Sequence, residues 1–357
     1  MRVSYFETGR YRPTQPLPSG WPLPPAAYDR EAGAAAYRGM VERLQLIERL
    51  GFDWISVAEH HYSHRRLTPA PIVVAAHLAA HSTRIKIAVL GPIVSHSNPV
   101  RVAEELALLD NLMPGRLVVG LLRGTTGEYL SYGLNPEEAR ERTSEAMELI
   151  LKAWTEPQPF AWQGRFFQFR GVAVWPRPSS EPHPPTYALG TSQESCEFAA
   201  RHHLGLGLSY APFPVIARAS RYYREACVRH GWQPAPEQLI YRANILLAAT
   251  DDEAALVLQR MEDQSPLPLP EGIRDALVSL DSRNVAGEAR TPNVGGRLPT
   301  TFVGCPDTLV AQIKQCREEA GVGVLDLFFQ TRDAAPETLM ENLTMFGEQV
   351  LPRIRDV

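Results

Sequence analysis

The chain has 357 residues, 44% apolar and 21% charged, with 36 Lys and Arg against 40 Asp and Glu for a formal net charge of −4. That is the balance of a globular protein with one large core, and the length suits two or three domains or a single α/β barrel with insertions. No basic block marks a nucleic-acid footprint. The longest apolar runs, such as Ile85 to Val94, are broken by Lys86 and fall far short of the ~20 residues a membrane span needs. Cys196, Cys227, Cys305 and Cys316 are widely spaced with no CxxC. That pattern points to a reducing compartment without structural zinc. The first residues show no signal-peptide pattern, so the expected location is cytoplasmic.

A short β-rich run, a turn and an amphipathic helix recur along the chain. Arg2 to Glu7 reads as the first strand. Tyr37, Met40, Leu44 and Ile47 share one helical face, and that helix ends at Gly51. Strands follow at Asp53 to Ala58 and Ile85 to Gly91, with a helix from Pro71 to Ala80 between them. Asn98-Pro99 opens a third helix as N-cap and first-turn proline. Leu117 to Leu121 is the fourth strand, and Asn135-Pro136-Glu137-Glu138 opens the next helix, with acids where the helix dipole favours them. The proline-bounded segment 157–185 breaks the rhythm and reads as a surface hairpin. Strands then resume at Thr186 to Leu189, Gly205 to Ser209, Leu239 to Ala249 and Val324 to Phe329, separated by helices. Residues 264–300, rich in Pro, Gly and polar groups, read as a lid or disordered loop. Eight alternating units imply a parallel sheet closed into a single (β/α)8 TIM barrel over residues 1–357. An open doubly wound sheet usually carries a glycine fingerprint after its first strand, and none stands here.

Chemistry in such a barrel sits at the C-terminal ends of the strands. Those positions hold Phe6-Glu7, Glu59-His60-His61, Leu90-Gly91, Leu122-Arg123-Gly124, Gly190-Thr191-Ser192 with Ser195, and Ser209-Tyr210. Glu59-His60-His61 offers a general base near neutral pH, or a structural pair of imidazoles under a loop. It could also ligate a metal, but no third or fourth ligand stands at a supporting spacing. Arg123-Gly124 suits a phosphate clamp, or an ion pair with a helix acid. Thr191-Ser192-Gln193-Glu194 is a capping-box pattern. The same helix start, with Ser192 and Ser195, also suits an anion. Arg123 and Ser192 lie on neighbouring strands, so both could reach one phosphate, with Glu194 turned away from it.

With these residues laid out, the chain resembles the bacterial luciferase-like flavin monooxygenases nearly end to end. The resemblance is carried by Gly51-Phe52-Asp53-Trp54, Ala58-Glu59-His60-His61, Asn98-Pro99-Val100-Arg101-Val102-Ala103-Glu104, Leu108-Leu109-Asp110 with Gly115-Arg116, Gly120-Leu121-Leu122-Arg123-Gly124 and Val303-Gly304-Cys305-Pro306. It implies a barrel that takes reduced FMN from a separate flavin reductase, reacts it with O2 and oxygenates a small organic substrate through a peroxyflavin. His60 then resembles the catalytic histidine, with Glu59 and His61 beside it. Arg123, Thr191, Ser192 and Ser195 resemble the FMN-phosphate binders. Phe6 resembles an active-site aromatic, and Leu90-Gly91 a non-proline cis peptide under the flavin ring. Leu122 stands where luciferase has a cysteine, and Glu7 where it is apolar; light emission is therefore not implied. A carboxylate at position 7, if it faces the cavity, would disfavour an aliphatic aldehyde chain.

Three alternatives stay open: the same fold serving a deazaflavin hydride-transfer enzyme, a non-catalytic luciferase-like partner subunit, and a barrel without flavin. The resemblance further implies a homodimer pairing through helices near strands two and three. The helix Pro71 to Ala80, apolar nearly all round, suits that surface.

Overall fold

The computed structural model describes residues 1–18, 22–63, 66–263, 300–331 and 336–356. The proposed lid, 264–300, lies outside the described residues except for its last position. In chain order the elements are β1 (Arg2–Phe6), α1 (Arg30–Leu50), β2 (Trp54–Val57), α2 (Pro71–Ala80), β3 (Lys86–Ile93), α3 (Pro99–Leu112), β4 (Leu117–Leu122), α4 (Thr126–Tyr132) and α5 (Ala139–Thr155). The hairpin β5 (Phe160–Gln163) and β6 (Gln168–Val172) follows, then β7 (Thr186–Leu189), α6 (Gln193–Arg201), β8 (Gly205–Ser209) and α7 (Phe213–Arg229). The chain continues with β9 (Leu239–Leu247), α8 (Asp251–Asp263), β10 (Thr300–Gly304), α9 (Pro306–Ala320), β11 (Val324–Phe329), α10 (Pro336–Met345) and α11 (Leu351–Ile354).

The parallel order β1-β2-β3-β4-β7-β8-β9-β11 returns to β1, closing an eight-stranded barrel. Local signals place the helices that wrap it. Asp29 caps α1 by accepting from the Glu31 and Ala32 amides, and Gly51, at φ 86°, ends it in the left-handed conformation. Asn98 accepts from Val100 N and Arg101 N to start α3. The hairpin at 157–185 forms as an antiparallel pair.

The structure departs from the sequence reading at three places. A further strand, β10, pairs along the second half of β9; its Thr-Thr-Phe-Val run follows directly on the long polar segment, and the sequence reading assigns it no strand. The short helix α4 precedes the expected fourth helix. Its Thr125-x-x-Glu128 start is a capping box, with Glu128 Oε2 accepting from Thr125 N at 2.9 Å. Asn135 does cap, accepting from Glu137 N at 3.1 Å, but it begins a turn, and α5 starts only at Ala139.

Successive side chains of a strand alternate faces, and here the alternation separates two cores. Val3, Tyr5, Ile55, Val57, Ile87, Val89, Val119, Leu121, Tyr241, Ala243, Leu325 and Leu327 belong to the outer core with the helices. Trp54, Ala88, Leu90, Val118, Tyr187, Ile240 and Val324 fill the barrel itself. Glu7 keeps the outward parity of Val3 and Tyr5, which corrects the expectation that it might line the cavity. It is fully buried, its Oε2 accepts from Arg43 Nε of α1 at 2.6 Å, and its Oε1 accepts from Thr8 N and Gly9 N at 2.9 and 2.8 Å.

Burial alone would raise the Glu7 pKa, but the Arg43 charge and hydrogen bond outweigh it and hold the carboxyl below the ordinary 4.5. A depressed folded pKa contributes stability above the unfolded value, and that stability is lost as pH falls through the folded value. Arg43→Ala strands a buried carboxylate and is expected to cost ~3–5 kcal/mol near neutral pH. The penalty of Glu7→Gln, read by denaturant unfolding at about pH 7 and about pH 3, should be large at the first and shrink at the second. An equal penalty at both would remove the ionised pair from the account.

Candidate active site

The lumen parity brings Phe6, Ser56, Leu90, Leu122, Arg242, Asp326 and Phe328 toward the C-terminal half of the barrel. Phe6 is buried, packs on Phe328 at 5.9 Å between ring centroids, and lies 3.8 Å beneath the Arg242 guanidinium. Arg242 Nε donates to Asp326 Oδ2 at 2.6 Å, and Ser56 Oγ donates to Asp326 Oδ1 at 2.6 Å. The charged pair is thus matched inside the barrel, as a buried ion pair must be. Sequence reading missed it. The available signal was one charge inside each apolar run, Tyr241-Arg242-Ala243 and Leu325-Asp326-Leu327. The Leu90–Gly91 peptide is cis. A Cβ on Gly91 would stand 1.5 Å from the Gly120 carbonyl oxygen, so only glycine fits there.

The fold divides the Glu59-His60-His61 run. His60 N donates to Thr68 O, its Nε2 lies 3.0 Å from Arg66 Nη1, and its Nδ1 faces Glu128 Oε1 at 3.8 Å. A guanidinium only donates, so Nε2 is the acceptor and Nδ1 carries the ring proton. Burial, with the Arg66 charge added, lowers the His60 pKa to about 4 against the pull of Glu128. The ring is neutral near pH 7. Glu59 and His61 turn to another group: Glu59 Oε1 is 2.6 Å from His61 Nε2 and 3.1 Å from His96 Nε2, and Glu59 Oε2 accepts from Ile93 N at 2.9 Å. Burial would raise the Glu59 pKa, but the two imidazoles and the Ile93 amide hold it below the ordinary range. Tyr132 of α4 bonds His61 Nδ1 at 3.0 Å and stacks on His96. The sequence offered no third partner for the run; the loop after β3 supplies it as His96.

The third cluster forms at the start of α6. Ser192 is the N-cap, accepting from Ser195 N at 3.2 Å, and the two hydroxyls lie 3.1 Å apart. A cap does form here, but at Ser192 with Ser195 three residues on, rather than as the Thr191-x-x-Glu194 box, and Glu194 pairs with Arg140 instead. Thr191 and Ser192 are buried. Gly190 brings its backbone against Ser195, where a Cβ would stand 2.6 Å from the hydroxyl oxygen. The cation in contact with this group is Arg140 of α5, which donates to Ser192 Oγ at 3.4 Å and to Glu194 Oε2 at 3.0 Å. Sequence reading missed Arg140, which lies among ordinary surface charges of its helix. Arg123, at the end of β4, is half-buried and acts with Arg140 on the Tyr129 hydroxyl, whose pKa burial raises. Two hydroxyls, a helix N-terminus and two nearby guanidinia are the donor set a phosphate monoester needs.

The parallel barrel thus carries a glycine floor, an interior arginine and a polar cradle at one helix start, all at the strand ends where TIM-barrel sites lie. A family model described as luciferase-like monooxygenase matches residues 18–323, and the chain belongs to that family. Among curated relatives, the alkanal monooxygenase beta chain of Vibrio harveyi is 28% identical over 72% of this chain and 78% of its own length. The oxygenase component of the flavin-dependent trigonelline monooxygenase of Acinetobacter baylyi is 24% identical over 65% of each. Across the curated relatives it matches, the chain spans from about half to under four-fifths of their length. The oxygenating constituent of 3,6-diketocamphane monooxygenase from Pseudomonas putida, solved with FMN, superposes with a TM-score of 0.75 at 18% identity, covering 99% of this chain and 98% of that one. An F420-dependent secondary alcohol dehydrogenase superposes at 0.68 and 17%, covering 99% of each. At these identities the two structures establish the fold alone. Among the described residues, no helix is long and apolar enough to cross a membrane.

Proposed function

We propose that the chain is the oxygenase component of a two-component flavin monooxygenase, taking reduced FMN from a separate flavin reductase and using O2 to oxygenate a small organic substrate. The observation that carries this reading is the cradle at the start of α6, where Ser192, Ser195 and Arg140 converge on the same barrel end as Gly91. FMN, when bound in reduced form, would supply the electrons that activate O2, and O2 would supply the oxygen atom delivered to substrate. The chain's part is to hold and shield it. Ser192, Ser195, Thr191, Arg140 and Arg123 bind the phosphate. Gly91 lets a flat ring approach the backbone, and Phe6, Leu90 and Leu122 give it apolar walls that exclude water. Arg123→Ala and Arg140→Ala should each weaken reduced-FMN binding by ~1.5–3 kcal/mol, the range for a charge-assisted hydrogen bond. Riboflavin, which has no phosphate, should bind both variants as it binds the wild type. Equal losses for both ligands would sink the phosphate assignment. Binding of a reduced deazaflavin but not of FMN would hand the site to hydride transfer.

His60 serves in this reading as a neutral acceptor at the mouth, once Arg66 yields its Nε2 to substrate. A pKa of about 4 makes it a weak base, so the expected effect lies at the low end of the general-base range. His60→Ala should keep FMN affinity and lower product per flavin oxidised by ~10²-fold. Product within a few-fold of wild type would leave the ring a purely structural role.

The homodimer belongs to the same proposal. On α2, Pro71, Ala75 and Leu78 are buried inward, yet Val73 is 69% exposed. On the adjacent α3, Leu108 and Leu112 are 49% and 63% exposed. Adjacent exposed aliphatic groups of this kind suit a buried protein interface. Light scattering at micromolar concentration should report two chains, and Val73→Lys with Leu112→Lys should report one. A wild-type monomer would reject the pairing.

A further inference from the structure

Glu59 gathers two imidazoles into a closed cluster that the flavin reading does not use. Glu59 Oε1, His61 Nε2 and His96 Nε2 lie within 4.8 Å of one another. Both imidazoles and the carboxylate are nearly closed from solvent, with side chains 7–8% exposed. Each ring is oriented from behind. Tyr132 holds His61 at Nδ1, and Ser97 Oγ lies 3.3 Å from His96 Nδ1. The Ser97 hydroxyl proton is committed to the Ile93 carbonyl at 2.9 Å, so Ser97 can only accept from His96, and Nδ1 carries that ring's proton. His96 Nε2 then faces Glu59 Oε1 at 3.1 Å, with no aligned hydrogen bond between them. A ring nitrogen and a carboxylate oxygen at that distance call for a cation between them, a role that a metal ion held by all three side chains fills as a proton does for one pair.

We infer that Glu59, His61 and His96 bind a divalent transition-metal ion of the zinc class. Two imidazole nitrogens and a carboxylate are a usual donor set for such an ion, with a fourth position left to water. Ligand atoms on a tetrahedral ion at ~2.0–2.1 Å stand roughly 3.3 Å apart. The Glu59–His96 separation of 3.1 Å is already close to that, and the Glu59–His61 separation of 2.6 Å must open by less than about 1 Å. With Nε2 turned to the ion, His61 carries a proton on Nδ1, where the Tyr132 oxygen accepts it. Tyr132 and Ser97 are the outer partners that ligating histidines ordinarily have. The ion would join the loops after β2 and β3 to α4, outside the barrel lumen. The site stands or falls independently of the flavin.

The test uses the full chain, dialysed against a chelator and titrated with Zn2+ by calorimetry, then with Co2+ by visible absorbance. The expected result is one ion per chain, with Co2+ bands of tetrahedral intensity. His96→Ala and His61→Gln should each weaken binding by ~100-fold or more. At ~100-fold excess over Kd, Zn2+ should raise the wild-type Tm by about 4 °C and leave that of His96→Ala unmoved. The double variant His77→Ala with His81→Ala, which removes an exposed imidazole pair on and beside α2, should bind as wild type. Absence of stoichiometric Zn2+ or of the Co2+ bands in the wild type overturns the proposal and leaves a proton shared between Glu59 and His96. So does binding that survives His96→Ala and is lost with the His77/His81 pair. Should His96→Ala not fold, His96→Gln and the wild-type Co2+ spectrum decide.

Discussion

Closing eight parallel strands into a barrel commits every second side chain to a lumen that only a few layers of side chains can fill. In this chain that parity sorts chemistry from scaffold. Trp54, Tyr187, Ile240 and Val324 plug the N-terminal part of the barrel. One layer further on, the same parity delivers Ser56, Arg242 and Asp326, and beyond them Phe6, Leu90 and Leu122. A shift of one residue in any of these strands would exchange a lumen residue for one of the outer core. Phe6 and Glu7 show the consequence directly. Neighbours in sequence, one lies under Arg242 in the lumen and the other is locked to Arg43 beneath α1.

The interior Arg242–Asp326 pair has a second effect. Its charges are opposed at 2.6 Å and further held by Ser56, so the lumen carries a strong local dipole with little net charge. The guanidinium face not occupied by Asp326 rests on the Phe6 ring, a cation–π contact that is strongest when desolvated. The group therefore fixes the Phe6 ring from above and β9 against β11 from the side. Its cost is that of any buried ion pair, and it is tolerable because both partners are hydrogen-bonded.

The barrel was legible because its signals are local and repeated. Gly51 ends a helix, Asn98-Pro99 begins one, and eight short apolar runs alternate with helices along the chain. What escaped had weak local signals or depended on distance along the chain. The Thr125-x-x-Glu128 box stands in the sequence, but the Arg123-Gly124 pair just before it draws the reading to a phosphate clamp. β10 is five residues behind a long polar stretch. Arg140 and His96 become site residues only because α5 packs across the start of α6 and the β3 loop folds back over the β2 loop. No spacing rule ties residue 59 to residue 96, or residue 140 to residue 192. The strands bearing Arg123 and Ser192 do lie side by side, β4 against β7, while the guanidinium that touches Ser192 is Arg140 of a helix.

Glu59-His60-His61 is the segment where sequence proximity misleads most. As a string it reads as a carboxylate beside its base. In the fold, both oxygens of Glu59 are committed, Oε1 to the two imidazoles and Oε2 to Ile93 N. Its net effect is to stay ionised, so it neither supplies a proton nor relays one to His60. The acid that does face His60 is Glu128, brought by α4 and itself held by Thr125. At 3.8 Å it steers the ring without a full hydrogen bond, and it is opposed on the other side by Arg66. The tautomer of His60 is therefore set by Arg66 at Nε2 and matched by Glu128 across from Nδ1, and not by its neighbour Glu59. The loop after β2 thus presents two back-to-back imidazole sites from three consecutive residues, one turned to the lumen and one turned away from it.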